Sequence, residues 1–486
     1  MKKKFVIISL SLVFLFSLFF TGCGQQDQKQ VDTSKLEKQI QELTKRLDDL
    51  SQKVDALIKE KAIVKPKAPA ITINWWHAMR SARGKIVATM IQDFNDSQSD
   101  YKVVGTFKGN YDETMNAGVA AFRAKKQPHL LQVFEVGTQT MMLSGAIYPV
   151  YELMKDAGYD IDWSRYLQAV LSYYMNADGN LMSMPFNSST PIMYYNADML
   201  KKAGIAPLSK SQPITWDELG EITKKIVDAK IAPAGMVTAW QSWVQLENYS
   251  AIHNIAFASK ANGYEGLDCE LEINNPQLVN HIARLKSWAD DKRFMYGGQK
   301  YQGPKAEFLA QNVAFYMDSI SGIAKLKKAV KDFKWDAAPL PIEKGTVKPQ
   351  NSIIGGASLW VLNGHSKAEY KGVAAFLKFL AGNKMQEYWH KQTGYFPITI
   401  DAYESLKSKG YYKSDPLQEV GINQLNRAIP TTISRGLRLG YFVQIRNIIN
   451  EELELVWNGK KSSQEALDSA VKRSNAQLRT FEKTYK

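Results

Sequence analysis

The chain has 486 residues, 45% of them hydrophobic, enough to build a large two-lobed body around its own core. Its formal net charge of +14 drops to +11 without the three lysines at the start, and beyond them no Lys/Arg run exceeds two residues. That excludes a basic nucleic-acid-binding stripe and leaves a solvated surface that weakly favours anionic solutes.

The first residues set the compartment. Lys2, Lys3 and Lys4 precede an apolar run from Phe5 to Phe20 that is broken only by serines. The layout is that of a secretory signal, too short and wrongly flanked for a membrane-spanning helix. The run ends at Thr21-Gly22-Cys23, which resembles the lipobox of bacterial lipoproteins, with Phe20 where a leucine is usual. The resemblance implies removal of residues 1–22, acylation of Cys23, and a body held outside the cytoplasmic membrane by its lipid. Cys269 is the one remaining cysteine, so no disulfide frames the fold.

Residues 23–70 read as a tether. A heptad runs through a helix over 36–58, with Ile40, Leu47 and Val54 at a and Leu36, Leu43, Leu50 and Leu57 at d. Such a pattern favours a parallel two-stranded coil. Three heptads make a weak dimer at best, and a single amphipathic stalk fits equally well. Lys65-Pro66-Lys67-Ala68-Pro69-Ala70 breaks the helix as a stiff spacer.

From Ile71 short strand-like runs alternate with helical ones, the mark of an α/β fold. A strand is predicted over Ile71–Trp76, a helix over Lys85–Asn95 and a strand over Tyr101–Phe107. Turns are expected at Asn95-Asp96-Ser97 and Asp178-Gly179-Asn180, and amphipathic helices over Tyr370–Leu380 and Arg446–Trp457.

Motifs for catalysis are missing. There is no HExxH, Walker loop, GxSxG or paired CxxC, and His77, His129, His253, His281, His365 and His390 are scattered without metal-ligand spacing. Neither an enzyme, a cofactor nor a metal is indicated. Aromatics in polar company stand out instead: Gly109-Asn110-Tyr111, Trp240-Gln241-Ser242-Trp243, Gly355-Gly356 and the hydroxyl-rich Pro185–Thr190. Trp240 and Trp243 share one face if their turn is helical. Taken singly, each segment reads equally well as core, turn or loop.

Together, GNYDETMNAGVAAFRAKKQPHLLQVFEVGTQTMM (Gly109–Met142), PFNSSTPIMYYN (Pro185–Asn196), WQSWVQLEN (Trp240–Asn248), IIGGASLWV (Ile353–Val361), WHKQTGYFPIT (Trp389–Thr399) and GLRLGYFVQIRNIINEELELVWNGKK (Gly436–Lys461) are similar, in order, to the sn-glycerol-3-phosphate-binding components of ABC importers, of extracellular solute-binding family 1. The likeness runs from about Ile71 to the end; the heptad and lipid anchor depart from it. It implies a two-lobed type II periplasmic-binding-protein fold over 71–486, with lobe 1 about 71–185 plus 356–395 and lobe 2 about 190–352 plus 396–486. Crossing strands near Pro185–Tyr195 and Ser352–Leu362 would be hinges. It also implies permease subunits as partners and a ligand held by Tyr111, Glu135, Ser189, Trp240, Trp243, Ser319, Gly356, Tyr395 and Arg446, with Ser321 an alternative to Ser319.

The chemistry of that set suits a phosphorylated polyol. Arg446 would grip the phosphate with its planar fork, helped by hydroxyls and the Gly356 N–H. Glu135 would repel phosphate and so belongs with the glycerol hydroxyls, while the indoles take the carbon chain. Free phosphate against a choline ester is left open. The rival readings are an oligosaccharide-binding protein of the same fold, a surface sensor or adhesin ectodomain, and an extracellular phosphodiesterase.

Overall fold

A computed structural model describes residues 34–63 and 69–486, which belong to two separate units, Met1–Pro69 and Ala70–Lys486. Cys23, the leader and spacer residues 64–68 lie outside the described residues. In the first unit, Ser34–Ile63 is one continuous helix, longer at both ends than the heptad. Leu36, Ile40, Leu43, Leu47, Leu50, Val54 and Leu57 are all exposed along it. Among the described residues no helix is long and apolar enough to cross a membrane.

The second unit is built on two sheets. Strand β1 (Ile71–His77) alternates so that Ile73, Trp75 and His77 point inward. The following helix, Ser81–Ser97, begins four residues before the predicted one. Asn95-Asp96-Ser97 is its last turn rather than a free turn, because Asn95 bonds both main-chain groups of Val103 and so belongs to the packed helix–strand unit. Strand β2 (Tyr101–Phe107) falls on the predicted range. Then come β3 (Leu130–Phe134), β4 (Ile147–Tyr148), β5 (Met184–Pro185), β6 (Pro191–Asn196), β7 (Ala234–Thr238), β8 (Phe294–Met295), β9 (Val313–Ser319), β10 (Trp335–Ala338) and β11 (Ala357–Leu362).

The first sheet has the order β2-β1-β3-β11-β4, with β5 also on β11. β1 is parallel to β2 and β3, and β11 runs antiparallel to β3, β4 and β5. The second sheet has the order β10-β6-β9-β7-β8, in which β7 is parallel to β8 and β9. Strands β3, β6, β7 and β11 are buried along their whole length, so they are mostly apolar without alternation, each with one buried polar residue: Gln132, Asn196, Thr238 and Ser358.

The passages between the sheets are tied to one another. Ser189 and Gly355 exchange both main-chain hydrogen bonds, at 2.9 and 2.8 Å. Thr190 Oγ1 donates to Ser352 Oγ at 2.7 Å, and the Phe396 N–H donates to Ser188 O at 2.9 Å. Gly356, at φ +108, fits because a Cβ there would lie 1.9 Å from the Asn187 carbonyl oxygen.

Candidate binding cleft

Open α/β sheets bind ligands beyond the carboxyl ends of their parallel strands. Here those ends carry Arg80 and Arg83 after β1, Tyr111 after β2, Glu135 after β3, Trp240 after β7, and Ser319 with Ser321 at the end of β9. The antiparallel β6 and β11 begin at the same edge, so Ser189 and Gly356, just before them, arrive there too. The polar groups fall into two clusters.

The first cluster centres on Arg446, in the helix Phe442–Trp457. Its Nη1 donates to Glu135 Oε1 at 2.7 Å, its Nη2 to Glu247 Oε2 at 2.6 Å and its Nε to Glu247 Oε1 at 2.9 Å. Both carboxylates are buried. Burial opposes the guanidinium's charge, but Glu247 and Glu135 outweigh it and raise the Arg446 pKa. Burial raises the Glu135 pKa while Arg446 opposes the rise. Glu135 Oε2 also accepts from the Gly356 N–H at 3.1 Å. Among the described residues, the buried Tyr173 hydroxyl, beside Glu135, Arg446 and Glu247, finds no hydrogen-bond partner.

This arrangement revises the role expected of Arg446. One guanidinium between two carboxylates leaves a net charge of about −1 if all three are ionised, which repels a phosphate instead of gripping it. The Gly356 N–H is likewise engaged. Glu247 was missed, although it stands inside the WQSWVQLEN segment, four residues after Trp243 and on the same turn.

The second cluster is a run of hydroxyls. Ser319 Oγ lies 2.9 Å from Ser189 Oγ and 2.7 Å from Ser321 Oγ, so both candidate serines belong to it. Tyr111, stacked on Phe134, accepts from Asn187 Nδ2 at 2.7 Å and is in hydrogen-bonding reach of Tyr395. Burial pushes the Tyr111 hydroxyl pKa well up, so it stays a neutral donor. Tyr395 lies flat against Trp389, with ring centroids 5.6 Å apart.

The tryptophans are not a helical pair. Trp240 sits at φ +50, before the helix, and its carbonyl accepts from the Val244 N–H; a π-helical turn starts only at Trp243. The two indoles therefore take different partners. Trp240 Nε1 donates to Asp318 at 2.9 Å and its ring packs on Tyr301, while the Trp243 indole covers Gly355. A side chain at 355 would collide with that indole, its Cβ 2.4 Å away.

Away from the cleft, the fold gathers His129, His365 and Glu369 with ligand atoms within 4.8 Å of one another, a grouping their sequence positions hide. His129 Nδ1 accepts from the Asn74 N–H at 3.0 Å, which puts its proton on Nε2 facing Glu369. That tautomer offers no lone pair to a cation, and the group reads as a hydrogen-bonded staple between β3 and the helix Lys367–Ala381.

Residues 89–419 match the family described as bacterial extracellular solute-binding protein. The sn-glycerol-3-phosphate-binding periplasmic protein UgpB of Salmonella typhimurium is 46% identical over 419 residues, 85% of this chain and 94% of that one. The protein of that name from Escherichia coli O1:K1 is 44% identical over 417 residues, with the same shares covered. Among solved structures, UgpB from Mycobacterium tuberculosis in complex with glycerophosphocholine superposes with a TM-score of 0.72 at 20% identity, over 85% of this chain and 99% of that one. The acarbose-binding GacH receptor of Streptomyces glaucescens gives 0.68 at 17% identity, over 86% of this chain and all of the other. With its family match spanning most of the body and close relatives matched along nearly their whole length, the chain belongs to the bacterial extracellular solute-binding proteins.

Proposed function

We propose that the protein captures sn-glycerol-3-phosphate or a glycerophosphodiester such as glycerophosphocholine between two lobes and hands it to the permease of an ABC importer. The observation that carries the reading is the segregation of the cleft. A carboxylate–guanidinium–carboxylate triad with a spare tyrosine hydroxyl offers acceptors and donors to vicinal hydroxyls, and a separate row of neutral O–H donors suits phosphate oxygens. The names of the relatives at 44–46% identity support the same ligand class. In this reading Glu135, Glu247, Arg446 and Tyr173 face the glycerol, and Tyr111, Ser189, Ser319, Ser321 and Tyr395 face the phosphate. Trp240 and Trp243 flank the carbon chain, and Gly356 lets the backbone close in.

Calorimetric titration of the purified protein with sn-glycerol-3-phosphate, glycerophosphocholine, glycerol and maltose tests it. Micromolar or tighter binding of a glycerophosphate is expected, with glycerol far weaker. Tighter binding of maltose or glycerol would sink the assignment and favour the oligosaccharide reading.

The tether belongs to the same proposal. Cys23 is acylated after removal of residues 1–22, and the exposed apolar stripe from Leu36 to Leu57 pairs weakly with a second copy or stands as a single stalk. Mass spectrometry of the native protein that found residues 1–22 attached, or an unmodified Cys23, would count against the anchor.

A further inference from the structure

A phosphate at the hydroxyl row needs a cation, and Arg446 is committed to two carboxylates. The row ends on a different arginine. Arg83, in the first turn of the helix after β1, reaches to the far end of β9 in the other sheet, and its Nη2 donates to Ser321 O and Ser321 Oγ at 3.0 Å each. From Ser321 the hydroxyls run on through Ser319 to Ser189. The Arg83 guanidinium also lies over the Tyr395 ring, 4.7 Å from its centroid, close enough for its charge to act on Tyr111. It thus touches Ser321 and Tyr395, acts on Tyr111, and is linked to Ser319 and Ser189 through the Ser321 hydroxyl.

Two further observations separate Arg83 from a structural ion pair. Among the described residues it forms no salt bridge, and only Nη2 is engaged by protein acceptors, so Nε and Nη1 keep donors for two oxygens of a ligand. Its surroundings are also short of negative charge. Arg80 donates to the Tyr301 hydroxyl at 3.0 Å, and Lys325 lies over the Tyr301 ring at 5.1 Å. Burial, then the charges of Arg83 and Lys305, push the Lys325 ammonium down to about 8. The carboxylate that faces them, Asp318, accepts from the Tyr316 hydroxyl at 2.5 Å and from Trp240 Nε1 at 2.9 Å, one on each oxygen. These cations have the occupied Asp318 and, at Arg80, Glu113, whose Oε2 accepts from the Asn110 N–H; they repel one another until an anion sits among them.

We propose that Arg83 is the phosphate-binding cation of the cleft and a specificity-determining residue: its guanidinium, with the Ser321, Ser319, Ser189 and Tyr395 hydroxyls, takes the phosphate and in doing so ties the first sheet's layer to the second. The proposal rests on the glycerophosphate reading above. A cation bridging the layers at this point selects charged ligands, whereas the triad at Arg446 selects hydroxyls.

The test is calorimetry on the full chain and on Arg83→Leu and Arg83→Lys, with sn-glycerol-3-phosphate, glycerol and inorganic phosphate as titrants and melting temperature measured alongside. Arg83→Leu should weaken sn-glycerol-3-phosphate by roughly 30-fold or more, the scale of truncating one partner of a desolvated charge pair. Arg83→Lys should recover part of that, since a point charge replaces a fork. Glycerol binding and the melting temperature should hardly move. Wild-type binding of sn-glycerol-3-phosphate with an Arg83→Leu loss under about threefold overturns the role of Arg83 and leaves the function standing. An equal loss for glycerol and sn-glycerol-3-phosphate also overturns it, because Arg83 would then be only a latch between the layers. Should the wild-type protein not bind sn-glycerol-3-phosphate, the function falls, and the inorganic phosphate titration decides the anion site. Phosphate binding that Arg83→Leu abolishes keeps the site, and no phosphate binding removes it.

Discussion

At one end of the cleft Arg446 is enclosed by Glu135 and Glu247, buried carboxylates that between them engage Nε, Nη1 and Nη2. At the other, Arg83 meets a serine hydroxyl, a carbonyl and an aromatic face, with Arg80, Lys305 and Lys325 nearby. The side chains are chemically identical and the surroundings have opposite sign. An arginine becomes an anion receptor only where its charge is not already spent, so counting the carboxylates around each cation says more about its task than its position in a motif. The triad end has no positive charge left over and suits polar, uncharged groups, whereas the cations of the hydroxyl end are not matched by carboxylates.

The largest expected effect is on stability at the triad. Arg446→Ala strands two buried carboxylates, and breaking a buried ion pair by removing one partner typically costs about 3–5 kcal/mol. Denaturant unfolding measures it. The combination Glu135→Gln, Glu247→Gln, Arg446→Met should restore most of that stability without restoring ligand affinity. A loss below about 1 kcal/mol in Arg446→Ala, the size of an ordinary exposed pair, would show that the triad is solvated and erase the contrast with Arg83.

The next effect sharpens the contrast through pH. Lys325, faced by Arg83, Arg80, Lys305, Asp318 and the Tyr301 ring, has its pKa lowered to about 8. A bound phosphodiester adds an opposite charge and raises that pKa. Above pH 8 a growing share of free protein must therefore take up a proton on binding. Affinity for glycerophosphocholine, whose diester does not titrate in this range, should fall as pH rises through 8, by at most about tenfold per pH unit. Lys325→Met should flatten the profile. A wild-type profile flat to pH 10, measured by calorimetry, would place the anion away from Lys325.

The smallest effect belongs to Trp240→Phe, which keeps an aromatic ring but removes the donor to Asp318 at 2.9 Å. One such hydrogen bond is worth about 0.5–1.5 kcal/mol, so affinity should drop by roughly twofold to tenfold, about equally for charged and uncharged ligands. A selective loss of charged ligands alone would instead show that Trp240 acts through Asp318 on the cations that Asp318 faces.

What the residues by themselves determined was local or repetitive. Strands β1 and β2 follow from their strand-like runs, and the long helix from the heptad. The ordered segments that resemble binding components of importers also carried most of the cleft residues. The tertiary structure alone decided which charges face one another. Arg446 meets Glu135 across 311 positions of sequence and Arg83 meets Ser321 across 238, and no short-range pattern encodes either meeting. The same reason hid Arg83: in sequence it is one more basic residue at the start of an amphipathic helix. Trp240 and Trp243, three apart, read as a pair, and a single left-handed residue at Trp240 parted them. Spacing fixes where a side chain can point, whereas its electrostatic role is set by the desolvated neighbours that packing brings to it.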